Sequence, residues 1–294
     1  MANTITYETL FEQELQERLA APQNWREVCK VTMTNTRTIT QQSISTTGDW
    51  AATAGLTRGT SFDPTDIVEV IDDLVISDGR HVTTYFDFGD LAQSPWTNER
   101  EIFLRAGQRL GEYIESQVLA QHASWRNIGL SGGTWTDNDG TSGAVSASNI
   151  DDLARIIRRV IREQNGASML SRHGAFAVLS PVSFEFVEAF AQANGFASAD
   201  EALKKGLAPQ VHYLGLDWYV SNDNATNHVM AGVKKIEHLG ILKGTFGKMH
   251  KFPGIAGSSG GIQSGIAYHS RVDIGHNTPT DHKELVFDVN DSNS

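Results

Sequence analysis

Between Thr32 and Phe62 the chain is built mainly from Thr, Ser, Gln and Gly, with only scattered large apolar side chains such as Ile39, Ile44, Trp50 and Leu56. Ordering backbone costs about 1–2 kcal/mol per residue, and a stretch this polar cannot recover that by burying its own surface. It is expected to be extended and held by something else. Any fold for this protein must accommodate such an arm.

The segments around the arm are patterned. Upstream, Tyr7, Leu10, Phe11, Leu15 and Leu19 fall on one helical stripe that ends near Pro22, so an amphipathic helix is expected over Thr6 to Ala20, packed on its own domain or on a neighbour. Downstream, Val68, Val70, Leu74 and Ile76 read as strand, and Asp78-Gly79 is a tight-turn signal leading into His81 to Phe88; the spacing predicts a β-hairpin. A long helix follows: Thr97 or Asn98 caps it, Glu99 and Glu101 occupy its first turn, and Ile102, Ala106, Leu110, Ile114 and Val118 recur at steps of four, to near Ala123. Gly107 and Gly111 interrupt this helix, either at a close backbone contact or on an exposed side.

The Gly/Ser/Thr-rich stretch Leu130 to Ala147 is the best internal boundary, and beyond it the pattern turns α/β. Ile150, Leu153, Ile157, Val160 and Ile161 form a helical stripe, and Ala175 to Leu179 reads as a buried strand. Ser180-Pro181 opens another helix, lined by Phe184, Val187 and Phe190, and Ser198-x-x-Glu201 is a capping box for a helix that stops at Gly206. Strands are expected at Val211 to Val220, His228 to Ile236, Ile262 to Ile274 and Leu285 to Val289, with a Gly-rich interval from Phe252 to Gly261. The fold class expected is α+β.

Little in this sequence carries chemistry. A single cysteine, Cys29, rules out an intramolecular disulfide and a four-thiolate metal site; it reads as a small buried hydrophobe in a reducing cytoplasm. A formal net charge of −11 argues against a surface built to hold phosphates. No long apolar run suggests a membrane span, and Met1 to Glu17 lacks a basic region followed by an apolar block. Ten histidines include no His-Glu-x-x-His and no close pair in sequence; His269, His276 and His282 are loosely spaced, so no metal and no cofactor are expected. Asp137-Asn138-Asp139-Gly140 fails the EF-hand spacing and reads as a turn. Gly244 to Lys248 has the wrong spacing for a phosphate loop.

Gly257-Ser258-Ser259-Gly260-Gly261 fits the pattern of a hydrolase nucleophile elbow and would make Ser259 the nucleophile. Such an elbow joins a strand to a helix, with the acid and then the histidine downstream. Here the motif precedes strand-like sequence and only a short tail remains, so no catalytic residue is expected. One charged feature stands out: Arg155, Arg158, Arg159 and Arg162 form a stripe opposite the apolar side of their helix. It is either an ordinary solvated surface or one that pairs with carboxylates of another copy, for which the planar guanidinium is suited.

The order of these parts resembles the major capsid protein of tailed bacteriophages, the Hong Kong ninety-seven fold. The residues that carry the resemblance are Phe88-Gly-Asp-Leu-Ala-Gln-Ser-Pro-Trp96 leading into Arg105-Ala-Gly-Gln-Arg-Leu-Gly-Glu-Tyr-Ile-Glu115, then Phe176-Ala-Val-Leu-Ser-Pro181, Gly215-Leu-Asp-Trp-Tyr-Val-Ser-Asn222 and Ala231-Gly-Val-Lys-Lys235. The resemblance implies an N-terminal arm over 1–31, an extended loop with a β-hairpin over 32–96, a peripheral domain with a spine helix over 97–147 and 250–294, and an axial α/β domain over 148–249. It also implies a structural, non-enzymatic subunit that forms the hexamers and pentamers of an icosahedral virion capsid around double-stranded DNA, without sequence-specific binding and without a membrane, assembled in the host cytoplasm. A portal is implied as partner. The chain has no long charged coiled-coil extension at its start, so the resemblance implies a separate scaffolding protein. Lys–Asn cross-links of the kind found in part of the family are not expected, because no lysine lies between Lys30 and Lys204. An encapsulin-like compartment shares this fold and is the nearest rival; a hydrolase using Ser259 and a tail or fibre component are the others.

Overall fold

The structure is a computed structural model that describes residues 24–44, 69–77, 79–87, 97–137, 141–193, 210–224, 227–245, 249–253 and 265–293. The helix expected over Thr6 to Ala20 and the capping-box helix after Ser198 lie outside these residues.

In chain order, the helical turn α1 (Trp25–Val28) leads into strands β1 (Lys30–Thr34), β2 (Thr38–Ile44), β3 (Glu69–Val75) and β4 (Arg80–Asp87), then the long helix α2 (Thr97–Leu119) and a 3-10 turn (Ala120–Ser124). Strands β5 (Arg126–Ser131) and β6 (Thr134–Asp137) precede α3 (Ile150–Glu163), α4 (Ala167–His173), β7 (Ala175–Leu179) and α5 (Pro181–Ala193). The rest is strand: β8 (Gln210–Tyr213), β9 (Leu216–Val220), β10 (His228–Val233), β11 (His238–Leu242), β12 (Met249–Pro253), β13 (Gly265–Val272), β14 (Ile274–Asn277) and, after a 3-10 turn (Thr280–Leu285), β15 (Val286–Asn290).

A seven-stranded sheet, ordered β6-β5-β15-β10-β7-β9-β8, carries the main core. Its central strands are covered on both faces, which is why β7 and β15 are buried at every position. The α3 stripe fills one side, with Ile150, Leu153, Ile157, Val160 and Ile161 all fully buried. Ser180 caps α5, its Oγ accepting from the Ser183 amide at 3.3 Å with Pro181 in the first turn. This sheet takes β5, β6 and β15 from 97–147 and 250–294 and β7 to β10 from 148–249, so the portions expected to be peripheral and axial share one set of ladder hydrogen bonds. The stretch Leu130 to Ala147 is also less of a linker than its composition suggests. Gly132 and Gly133, at positive φ, turn β5 into β6, and Trp135 and Val145 are buried in the core.

Helix α2 lies along the smaller sheet β12-β13-β4. Ala106, Leu110, Ile114 and Val118 form its buried stripe, and Gly107 and Gly111 are buried too, which places both on a covered side. The stretch Val211 to Val220 is a hairpin of β8 and β9, turned by Leu214 and Gly215 at positive φ.

The hairpin expected across Asp78-Gly79 is corrected: β3 and β4 exist, but they do not pair with each other. β3 pairs antiparallel with β2, and β4 pairs with β13 along its whole length. The chain between them is captured by another partner. The Gly79 amide donates to Asp273 Oδ1 at 2.9 Å and the Ser77 amide to the Ile274 carbonyl at 3.2 Å. A Cβ on Gly79 would lie 1.6 Å from the Val272 carbonyl oxygen, so only glycine lets the chain cross here.

Candidate functional site

The described half of the polar arm is a two-stranded ribbon, β2 with β3, in which Thr38 to Ile44 runs opposite Val75 to Glu69. Its alternation decides its use. Val70, Asp72 and Leu74 turn inward, while Ile71 and Val75 are 56% and 61% exposed. The base of the ribbon docks on the sheet β1-β11-β14. At Gly240 of β11 a Cβ would meet Leu74 Cδ2 at 2.7 Å and Ile39 Cδ1 at 3.0 Å, so the missing side chain is what lets the ribbon lie flat. Asp72 fixes it from the other end of the chain, accepting from the Thr280 amide at 2.9 Å and from Thr280 Oγ1 at 2.7 Å. Beyond this base a two-stranded ribbon has no core of its own and is marginal in water. Its outward apolar side chains are therefore a candidate contact surface.

The arginine stripe is on the solvent side of α3, as its spacing predicts. Arg155, Arg159 and Arg162 are exposed and Arg158 is half-buried. Arg155 pairs with Asp151 and, at 3.0 Å, with Asp152; Arg159 reaches Glu163 at 3.5 Å; Arg158 Nε donates to the Ala154 carbonyl at 3.3 Å. The ion pairs of Arg155 and Arg159 are local to the helix and exposed, hence weak, and leave those guanidinium groups accessible to a second chain, while the Arg158 guanidinium lies half-buried beside Gly215.

Two polar constellations, each built around a buried carboxyl, have no signal in the sequence. His122 on the 3-10 turn, His228 on β10 and Asp288 on β15 come together, with the imidazoles stacked at 3.8 Å between centroids. Burial raises the Asp288 carboxyl above its ordinary range, and the two imidazoles pull against that. In the second group, Glu237 is 1% exposed and burial lifts its carboxyl to about 7, partly offset by a hydrogen bond from Thr278 Oγ1. Thr278 Oγ1 itself accepts from Trp125 Nε1 at 3.2 Å. Tertiary contact alone assembles both groups, since their members lie far apart along the chain.

The other sequence candidates separate cleanly. Cys29 is fully buried and its thiol is pushed well above its ordinary range, chiefly by burial. His269 stacks on His81 at 5.4 Å across β13 and β4, while His276 sits on β14 and His282 on the last 3-10 turn. Asp137 is held by Arg126, whose Nε donates to Oδ1 at 2.7 Å. Ser259 lies outside the described residues. None of the helices among those residues is long and apolar enough to cross a membrane.

No known family model and no curated protein matches this sequence. Solved structures do match. The asymmetric unit of the bacteriophage PhiM1 mature capsid superposes with a TM-score of 0.58 at 15% identity, over 92% of this chain and 87% of that one. The chain has the Hong Kong ninety-seven capsid fold. A cyanophage P-SCSP1u capsid structure shares this capsid fold with a TM-score of 0.53 at 13% identity, over 92% of this chain and 88% of that one. A virus-like particle from Pyrococcus furiosus shares it with a TM-score of 0.58 at 12% identity, over 96% of this chain and 99% of that one.

Proposed function

We propose that this protein is a shell-forming subunit, a capsid protein that assembles with copies of itself into hexamers and pentamers of a closed icosahedral particle. The observation that carries this is the capsid fold over nearly the whole chain, joined to a docked ribbon whose outer face exposes Ile71 and Val75. In this reading the ribbon lies over a neighbouring subunit, which supplies the cover that the ribbon lacks alone. α2 is the spine of a peripheral portion, 97–147 with 250–294, and 148–249 forms an axial portion, the two sharing the seven-stranded sheet. Arg155, Arg158, Arg159 and Arg162 face carboxylates of an adjoining copy. The role is structural and not enzymatic.

The particle encloses double-stranded DNA in a virion, filled through a portal and shaped by a separate scaffolding protein within the host cytoplasm. The net charge of −11 suits a wall that does not grip the packed genome. A second reading, an encapsulin-like compartment, draws on the likeness to the Pyrococcus furiosus particle, which covers 96% of this chain and 99% of that one. Negative-stain microscopy of the expressed protein tests the shared claim: rings of five or six subunits, or closed shells, are expected. A monodisperse monomer at high concentration, with or without crowding agent, would overturn it. Particles from producing cells then separate the readings, since nuclease-protected DNA marks a genome capsid and a co-purifying enzyme marks a compartment.

A further inference from the structure

We propose that His122, His228 and Asp288 form a binding site for one divalent first-row metal ion of the zinc type, which ties the end of α2 to two adjacent strands of the seven-stranded sheet. The inference stands apart from the shell reading. One nitrogen of each imidazole and one carboxylate oxygen all lie within 4.8 Å of one another. His228 Nδ1 is 2.9 and 3.0 Å from the two Asp288 oxygens, whereas His122 Nδ1 is 3.7 Å from Oδ2, too far for a hydrogen bond. Four-coordinate zinc, with ligands at roughly 2.0–2.1 Å, sets its donor atoms about 3.3 Å apart. The two nitrogen–oxygen separations bracket that value, so an ion would draw His122 toward Asp288 and let His228 out by a few tenths of an ångström.

The chemistry of the donor set agrees. Two imidazoles with one carboxylate suit zinc and its neighbours, and lack the oxygen ligands that calcium or magnesium requires. The Asp288 side chain is 3% exposed, and its charge is costly there unless a cation lies against it. The rings now stack with 19° between their planes. Binding turns them about χ2, a broad two-fold torsion, until both nitrogen lone pairs meet at one point. Their side chains are 25% and 30% exposed, and water fills the fourth position. A tie at this place spans three elements, since β10 and β15 are ladder neighbours and the 3-10 turn rests on both.

The test uses the full chain, free of any histidine tag, stripped with EDTA and titrated with zinc chloride in a calorimeter at pH 7.5. Saturable uptake of one ion per chain is expected, together with a rise in melting temperature, and weaker uptake at pH 5 because protons compete for the imidazoles. His122→Ala and His228→Ala should each weaken uptake by about tenfold or more, while His269→Ala, on a different sheet, leaves it unchanged. Cobalt should give the intense visible bands of a four-coordinate site in the wild-type protein, a readout that no variant needs to fold for. Absence of saturable uptake, a weak six-coordinate cobalt spectrum, or uptake unaffected in a folded His228→Ala or Asp288→Asn chain would overturn the proposal.

Discussion

Replacing Glu237 by Gln should change the pH dependence of stability in a defined way. Glu237 is 1% exposed, one carboxylate oxygen accepts from Thr278 Oγ1, and the other has no hydrogen-bond partner among the described residues. The unfolded chain releases this proton near the ordinary value of 4.5, whereas burial delays release in the folded chain to about 7. Between those values the folded state holds more protons than the unfolded state, so stability is complete below about 4.5 and falls as pH rises through about 7. Each unit of difference is worth about 1.36 kcal/mol, which sets the loss at roughly 3 kcal/mol. Glu237→Gln keeps a neutral acceptor for Thr278 and cannot ionise. Urea unfolding of unassembled subunits at pH 5, 6, 7 and 8 should show variant and wild type close together at pH 5 and the variant more stable by up to about 3 kcal/mol at pH 8, a midpoint shift of about 1 M. Asp288, Asp223 and Glu115, whose carboxyls are also raised by burial, tilt both curves equally. Parallel curves for the two proteins would refute the reasoning.

Gly275→Ala should dislodge the ribbon, because its Cβ would lie 2.2 Å from the Val75 carbonyl oxygen, which belongs to backbone and cannot step aside; proteolysis between β2 and β3 should accelerate while the cooperative unfolding of the main core persists. Hydrogen exchange of unassembled subunits should be fast over the outer ribbon and slow in assembled particles, and equal protection in both would count against cover by a neighbour. The double variant Arg155→Glu, Arg159→Glu should fold, with a change of at most about 1 kcal/mol from the exposed pairs it loses, yet assemble poorly; normal oligomers by light scattering would remove the arginine stripe from the interface. Particles boiled in SDS with reductant should run as one band near 32.1 kDa, since the arm offers only Arg37, Arg58 and Arg80 as cations between Thr32 and Trp96 and a guanidinium is a poor nucleophile; a ladder of multimers would contradict this.

The sequence by itself determined whatever depends on a short window. The stripe of α2 at steps of four, the stripe of α3, the Ser180-Pro181 cap and the strand at Ala175–Leu179 are all where their local patterns place them, because helical period, capping and continuous burial are written in neighbouring residues. The order of those elements was enough to point to the capsid fold. Pairing was not legible. Val68 to Ile76 and His81 to Phe88 read as two arms of one hairpin, but the Asp273 carboxylate and the Ile274 carbonyl, about two hundred positions away, claim the turn and send β3 and β4 to different sheets. The same holds for the His122, His228 and Asp288 cluster and for Glu237. A single histidine or glutamate in a sequence has no period and no cap, and its environment is created by strands that meet only when the chain closes. Local propensities are set by covalent geometry within a turn or a pleat; ladder partners, buried charge and shared ligands are set by which distant segments reach the same place, and that is a property of the tertiary structure alone.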